Sequence, residues 1–200
     1  FRRVLFRSGG TQIRSTQMNL AQGKIRETGN GLDAAIEGAG YFMIQMPDGE
    51  SGYTRNGEFF LDQDLQIVNS DGNQLDWQGS VPADAEDVHI NPDGTVMAKQ
   101  GDVWSEVGSI SLAVFPNPDG LEIHGQNILL ETEVSGAPEV GNPNTAPYGR
   151  IIGGAVEDAN VDIAVEMSEM ITMQRSFEMS LRSFQQTDQM MSQLINLRRG

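Results

Sequence analysis

Few residues in this chain are of a type that could do chemistry, and their spacing argues against it. His89 and His124 are the only histidines. Each falls in a predicted strand or strand edge without a second ligand beside it, which reads as a surface or packing role. Asp62 with Asp64, and Glu86 with Asp87, are candidate carboxylate pairs for general acid–base work or for calcium. No loop has the EF-hand spacing, so these acids read as solvated turn residues. With no cysteine in 200 residues, a disulfide framework, thiol catalysis and cysteine zinc sites are all excluded. No Gly-x-Ser-x-Gly elbow occurs. Gly29-Asn30-Gly31-Leu32-Asp33-Ala34 formally fits a dinucleotide fingerprint, but no predicted strand precedes it. Gly38-Ala39-Gly40 lacks the third glycine and is expected to allow a close backbone approach at a bulge before Tyr41 and Phe42. The expectation is therefore a protein that is not an enzyme and holds no cofactor or metal.

Charge is unevenly distributed. The formal net charge is −15. Residues 1–26 carry only bases, whereas residues 27–159 carry 23 acids against Arg55, Lys99 and Arg150. Such an acidic middle repels a phosphate backbone, so nucleic acid is not an expected partner. No window approaches the ~18 apolar residues of a membrane span, so no membrane insertion is expected.

Three regimes follow residues 1–8, which lack an initiator Met and read as a non-native or artefactual segment. Residues 9–32 are polar and glycine-dotted, an extended connector. Residues 33–150 are predicted as an antiparallel β domain, a sandwich or irregular barrel. Residues 151–159 form a return linker, with Ile151-Ile152 as one last strand. Residues 160–200 form a long coiled-coil-type helix, so the fold class is mainly β with a C-terminal α-helix. The β reading rests on period-two runs: Phe42, Ile44 and Met46; Val96 and Ala98; Ile110, Leu112 and Val114, with Ser111 and Ala113 opposite. Between the runs lie Asp48-Gly49, Asn56-Gly57, Asp71-Gly72, Asp93-Gly94 and Asp119-Gly120, pairs suited to tight hairpins. No helical crossover separates the runs, which disfavours a parallel sheet. Residues 136–149, with three prolines, read as a surface loop, and Trp77 and Trp104 as core or edge anchors of the β domain.

The terminal helix has the strongest periodic signal. Asn160 is a suitable N-cap, Asp162 and Glu166 sit near the positive end of the helix dipole, and Arg198 and Arg199 near the negative end. Steps of four and three pick out Ile163, Met167, Met170, Phe177, Leu181, Phe184, Met191 and Ile195 as an apolar seam. About 40 residues would make a helix of about 60 Å. The sequence holds no second long helix to cover the seam, so intersubunit packing is its expected role. Arg175 and Arg182 are candidates for ion pairs with neighbouring subunits.

Several stretches resemble the hook–basal-body rod family of the bacterial flagellum. Leu32-Asp33-Ala34-Ala35-Ile36-Glu37-Gly38-Ala39-Gly40-Tyr41-Phe42 is similar to the family's segment ending in Gly-x-Gly-Phe-Phe. Gly52-Tyr53-Thr54-Arg55-Asn56-Gly57-Glu58-Phe59 is similar to its Tyr-Thr-Arg-(Asp/Asn)-Gly-x-Phe. Gly125-Gln126-Asn127 before a strand, the turn Ser135-Gly136-Ala137-Pro138, and the helix elements Gln174-Arg175-Ser176-Phe177 and Thr187-Asp188-Gln189-Met190 complete the match. The helix elements favour the distal rod branch over the hook, with the proximal rod or hook as the alternative. A secreted β-rich adhesin or carbohydrate-binding module is the alternative from another class. One departure lies after Asp62, where the family carries a turn glycine and this chain has Gln63-Asp64-Leu65. Another is the family's N-terminal helix, which this sequence lacks; the seam would thereby have lost a partner of its own chain.

The resemblance implies a helical homopolymer that also joins other rod and hook subunits and passes through ring bushing proteins. It implies a drive shaft that transmits torque across the periplasm and encloses the export channel, built of subunits exported without a cleaved signal peptide.

Overall fold

A computed structural model of the chain describes residues 19–197, and side chains only as far as Gln193. The segment 1–8, together with Arg198, Arg199 and Gly200, lies outside the described residues. The chain divides into two compact units, one ending at Ala159 and the other beginning at Asn160.

The first unit is built of short strands, as the period-two runs require. They are β1 (Ile25–Glu27), β2 (Ala34–Glu37), β3 (Tyr41–Gln45), β4 (Ser51–Thr54), β5 (Phe59–Leu61) and β6 (Ile67–Asn69). Next come β7 (Gln74–Leu75), β8 (Trp77–Gly79), β9 (Asp87–Ile90), β10 (Thr95–Gln100), β11 (Val103–Ile110) and β12 (Leu112–Val114). The last are β13 (Glu122–Gly125), β14 (Ile128–Leu130), β15 (Glu139–Gly141), β16 (Arg150–Gly153) and β17 (Ala155–Glu157). Every described strand pairing is antiparallel. A large sheet runs β13-β14-β4-β3-β7-β6-β5, with β12 and β15 branching from β3, and a smaller one runs β8-β11-β10-β9. Two ribbons, β1 with β17 and β2 with β16, complete the unit. No closed barrel forms among the described residues.

One face of the strands makes the main core. Phe42, Ile44 and Met46 are buried there with Phe59, Ile90, Val96, Ala98, Ile110 and Leu112. Phe42 and Phe59 meet edge to face at 5.2 Å. The expected alternation fails at Ala113, which is fully buried. Here the opposite face of β3 and β12 is also covered, by a second cluster of Tyr41, Tyr53, Ala113, Phe115 and Leu129. Tyr53 and Tyr41 pack edge-on to Phe115, with centroids 4.7 and 6.0 Å away.

Four turns share one design. Each is a five-residue loop in which the first N–H donates to the fifth carbonyl, and the fourth N–H to the first carbonyl. They begin at Met46, Asp62, Asn69 and Asn91. The fourth position takes a left-handed backbone, at Gly49 (φ 87°), Gly72 (φ 84°) and Gly94 (φ 85°). Leu65 takes it too, at φ 59°. The turn after Asp62 thus keeps the shared geometry without a glycine. The Asp62 carboxylate accepts the Asp64 and Gln66 amides at 2.9 and 2.8 Å and holds the loop in shape.

Two of the five expected hairpin pairs do other work. Asn56-Gly57 joins β4 to β5, which are not partners. Gly57 is needed because its backbone lies against β2: its carbonyl accepts the Ala34 N–H at 2.9 Å. Asp119-Gly120 lies in a single 3-10 turn, Pro118–Gly120. The proline-rich stretch 136–149 contains β15, which pairs with β12. The stretch expected as a connector contributes β1, and the return segment holds most of β16 and all of β17. These short strands lack a periodic signal because only long-range pairing makes them strands.

The two kinds of glycine give contrasting expectations. A Cβ at Gly72 would meet nothing within 4 Å, so Gly72→Ala should lower unfolding stability by about 1–2 kcal/mol, the cost of the left-handed backbone. A Cβ at Gly57 would sit 1.6 Å from the Ala34 carbonyl oxygen. Gly57→Ala should therefore be the more destabilising of the two in urea titration; equal midpoints would contradict the close approach. Burial, reinforced by Glu131 at the hydroxyl, raises the Tyr53 phenol above its ordinary value, and burial does the same for Tyr41 despite Arg55 nearby. A raised phenol stabilises the fold fully below pH ~10, and that contribution is lost as pH climbs through the folded value. Denaturation midpoints should fall above pH ~10, and less steeply in Tyr53→Phe.

Candidate assembly interface

The second unit is one helix, α1 (Ile163–Leu197), 35 residues long and about 52 Å by helical rise. It starts at Asp162, not at Asn160 as expected: the Asp162 carboxylate accepts the Ala164 N–H at 2.9 Å. That places an anionic acceptor at the positive end of the helix dipole, where it satisfies one of the orphan donors. Glu166 follows in the first turn.

The predicted seam residues are strongly exposed, from 45% at Leu181 to 75% at Ile163. Met167, Met170, Phe177, Phe184 and Met191 lie between these limits. Ile195 is within the helix, but its side chain lies outside the described part. The apolar surface is wider than the seam. Val165, Met179 and Met190 are also more than half exposed, and at 100° per residue they fall on the opposite side of the helix. The sequence pattern overlooked them because a single-stripe template counts only steps of three and four.

The polar residues between are arranged to tolerate burial. The hydroxyls of Ser168, Thr172, Ser176, Ser180 and Thr187 each donate to the carbonyl four residues before, at 2.7 to 2.9 Å. A hydroxyl bonded within its own helix can be covered by a neighbour without leaving an orphan donor. Arg175 and Arg182 make no ion pair with any described residue. Apolar side chains are thus exposed on more than one side of the helix.

The candidate chemical groups of the first unit do not converge. His89 and His124 are exposed on β9 and β13. Asp87 accepts the Val88 N–H at 2.9 Å, and Asp62 serves its turn. No group of three or more metal-ligating side chains occurs among the described residues. Trp77 packs partly buried against the main core, over the paired glycines Gly79 and Gly108. Trp104 is 44% exposed near the tip of the β10–β11 hairpin. Gly38-Ala39-Gly40 makes the expected close approach, with Gly38 beside Gly149, and Gly149 donating to the Ala39 carbonyl at 2.7 Å.

Residues 35–98 match the family described as "Flagellar hook protein FlgE/F/G D1 domain". Residues 152–197 match "Flagellar basal body rod FlgEFG protein C-terminal". The flagellar basal-body rod protein FlgG of Caulobacter vibrioides is 37% identical over 192 residues, covering 95% of this chain and 73% of that protein. The chain belongs to the flagellar FlgE/F/G rod and hook family. FlgG of Bacillus subtilis is 34% identical over 206 residues, covering 96% of this chain and 78% of its own. The hook protein FlgE of Salmonella typhimurium aligns over only 121 residues, at 35% identity and 60% of this chain. Within the family, the match to the rod proteins takes in both units, which favours the rod over the hook.

The N-cap can be tested on its own. Asp162→Ala removes the acceptor and the charge, so helix initiation should lose about 1 kcal/mol. Amides at 164–166 should exchange faster and ellipticity at 222 nm should fall slightly; unchanged exchange would contradict the assignment.

Proposed function

We infer that this chain is a structural subunit of the flagellar basal-body rod that polymerises with copies of itself and with other rod and hook subunits. The observation that supports this best is the exposed apolar surface of α1. Methionine and phenylalanine at Met167, Met170, Phe177, Phe184 and Met191 give an adaptable contact surface. Burying one such side chain contributes about 1.5–3 kcal/mol, repeated at every subunit. A heterologous contact that does not close generates a helical filament, and contacts on two sides of each helix would make a stiff tube wall.

The distal rod is the place this reading favours. The proximal rod is the runner-up, because the same helix surface would serve there. In either place the role is mechanical: the polymer carries torque across the periplasm, turns inside ring bushing proteins and surrounds the export channel through which subunits travel without a cleaved signal. No catalytic role is assigned. The relatives are flagellar rod and hook proteins, which leaves the adhesin reading without support.

Phe177→Asp and Phe184→Asp test the assignment. In electron micrographs the full-length protein should form tubes and its variants should not, while the urea midpoint of the β unit stays the same. Normal tubes from either variant would refute the seam.

A further inference from the structure

We propose that Arg55 is a clamp that fixes the ribbon through which the chain enters and leaves the β unit. The ribbon is β1 paired with β17, with Ile25 opposite Glu157 and Glu27 opposite Ala155. It brings residues more than 100 positions apart side by side. Five residues after Glu157 the chain reaches Asp162, where α1 begins.

Strand pairing alone holds such a ribbon weakly. It has three residues on each side, and two of the three in β1 are exposed. A two-stranded ribbon is marginal in water without further support. The support converges on one guanidinium. Arg55 Nε donates to Glu157 Oε2 at 3.0 Å, and Arg55 Nη2 donates to the carbonyls of Gly38 at 3.0 Å and Ile36 at 3.3 Å. The other carboxylate oxygen of Glu157 accepts the Gly23 N–H at 2.7 Å. Gln22 closes the circuit, donating to the Ile36 carbonyl at 3.1 Å and accepting the Gly38 N–H at 3.1 Å. One cation thus ties together the incoming segment, the end of β2 and the outgoing strand.

Burial sets this pair apart. The side chains of Arg55 and Glu157 are 21% and 11% exposed, against 56% and 47% for Arg26 and Asp158. An exposed pair contributes little and is screened by salt, whereas a sheltered pair whose remaining donors and acceptors are filled is costly to break from one side. The planar fork of arginine offers these three acceptors donors fixed on two separate nitrogens, whereas lysine has a single rotating ammonium. The backbone fits the same purpose: a Cβ on Gly23 would lie 1.9 Å from the Asp158 carbonyl oxygen, so the strands come together only around a glycine.

With the clamp closed, β17 is held against β1 and the end of β2. With it open, the three-residue ribbon frays. A subunit that carries load through its β unit needs the first state. The final step of the proposal rests on the assembly reading above; the clamp itself does not.

Hydrogen exchange on the purified monomeric chain tests the clamp independently of assembly. In Arg55→Met, the amides of Gly23 and Asp158 should exchange at least tenfold faster, while those of Ile44 and Val96 in the core change less than twofold. Gly23→Val opens the ribbon without touching the charges and should give the same local pattern, which keeps the test decisive if Arg55→Met does not fold. High salt should leave Gly23 and Asp158 protected in the parent protein. Unchanged exchange at these two amides in both variants, or equal acceleration in the core, would overturn the clamp. In the full-length subunit, Arg55→Met should also raise the concentration needed for tubes about tenfold; normal tubes with a frayed ribbon would overturn only the link to assembly.

Discussion

Apolar side chains on a long helix must leave water, and this demand shapes the second unit of the chain. Ile163, Met167, Phe177 and Phe184 lie on α1 with more than half of their surface exposed. A helix held only by its own backbone bonds is marginal, and most helical stability comes from packing a face against something else. The hydroxyls that fold back onto their own helix make the remaining surface fit for the same burial.

The first unit answers a different constraint, that of giving many short strands one partner each. Strands of two to eight residues cannot be stable singly. They are stapled by repeated five-residue turns and by two cores on opposite faces of β3 and β12. Three of its acids, Asp48, Asp62 and Asp93, serve these turns. Asp93 accepts the Thr95 N–H at 3.1 Å, and hydrogen bonds from Thr95 lower its carboxyl below the usual range.

Within the β unit, the short ribbon of β1 and β17 joins residues more than 100 positions apart. Its sheltered Arg55–Glu157 pair is costlier to break from one side than the exposed pair of Arg26 with Asp158.

The long helix, the buried face of β3 and three of the five turn glycines were legible in the amino-acid order, because each depends on neighbours within a few positions. Period-two and heptad spacing are local, as is the left-handed backbone of Gly49, Gly72 and Gly94. What the tertiary structure alone decided was everything that depends on residues far apart. Leu65 keeps a glycine-type turn because Asp62 and the adjoining core hold it there. Gly57 is a glycine because β2 passes against it, Ala113 is buried because a second cluster covers it, and Asp162 rather than Asn160 caps the helix. Arg55 stood out only as one letter of a motif, since Glu157 lies 102 positions away and no periodic pattern links residues that meet only when the chain closes on itself.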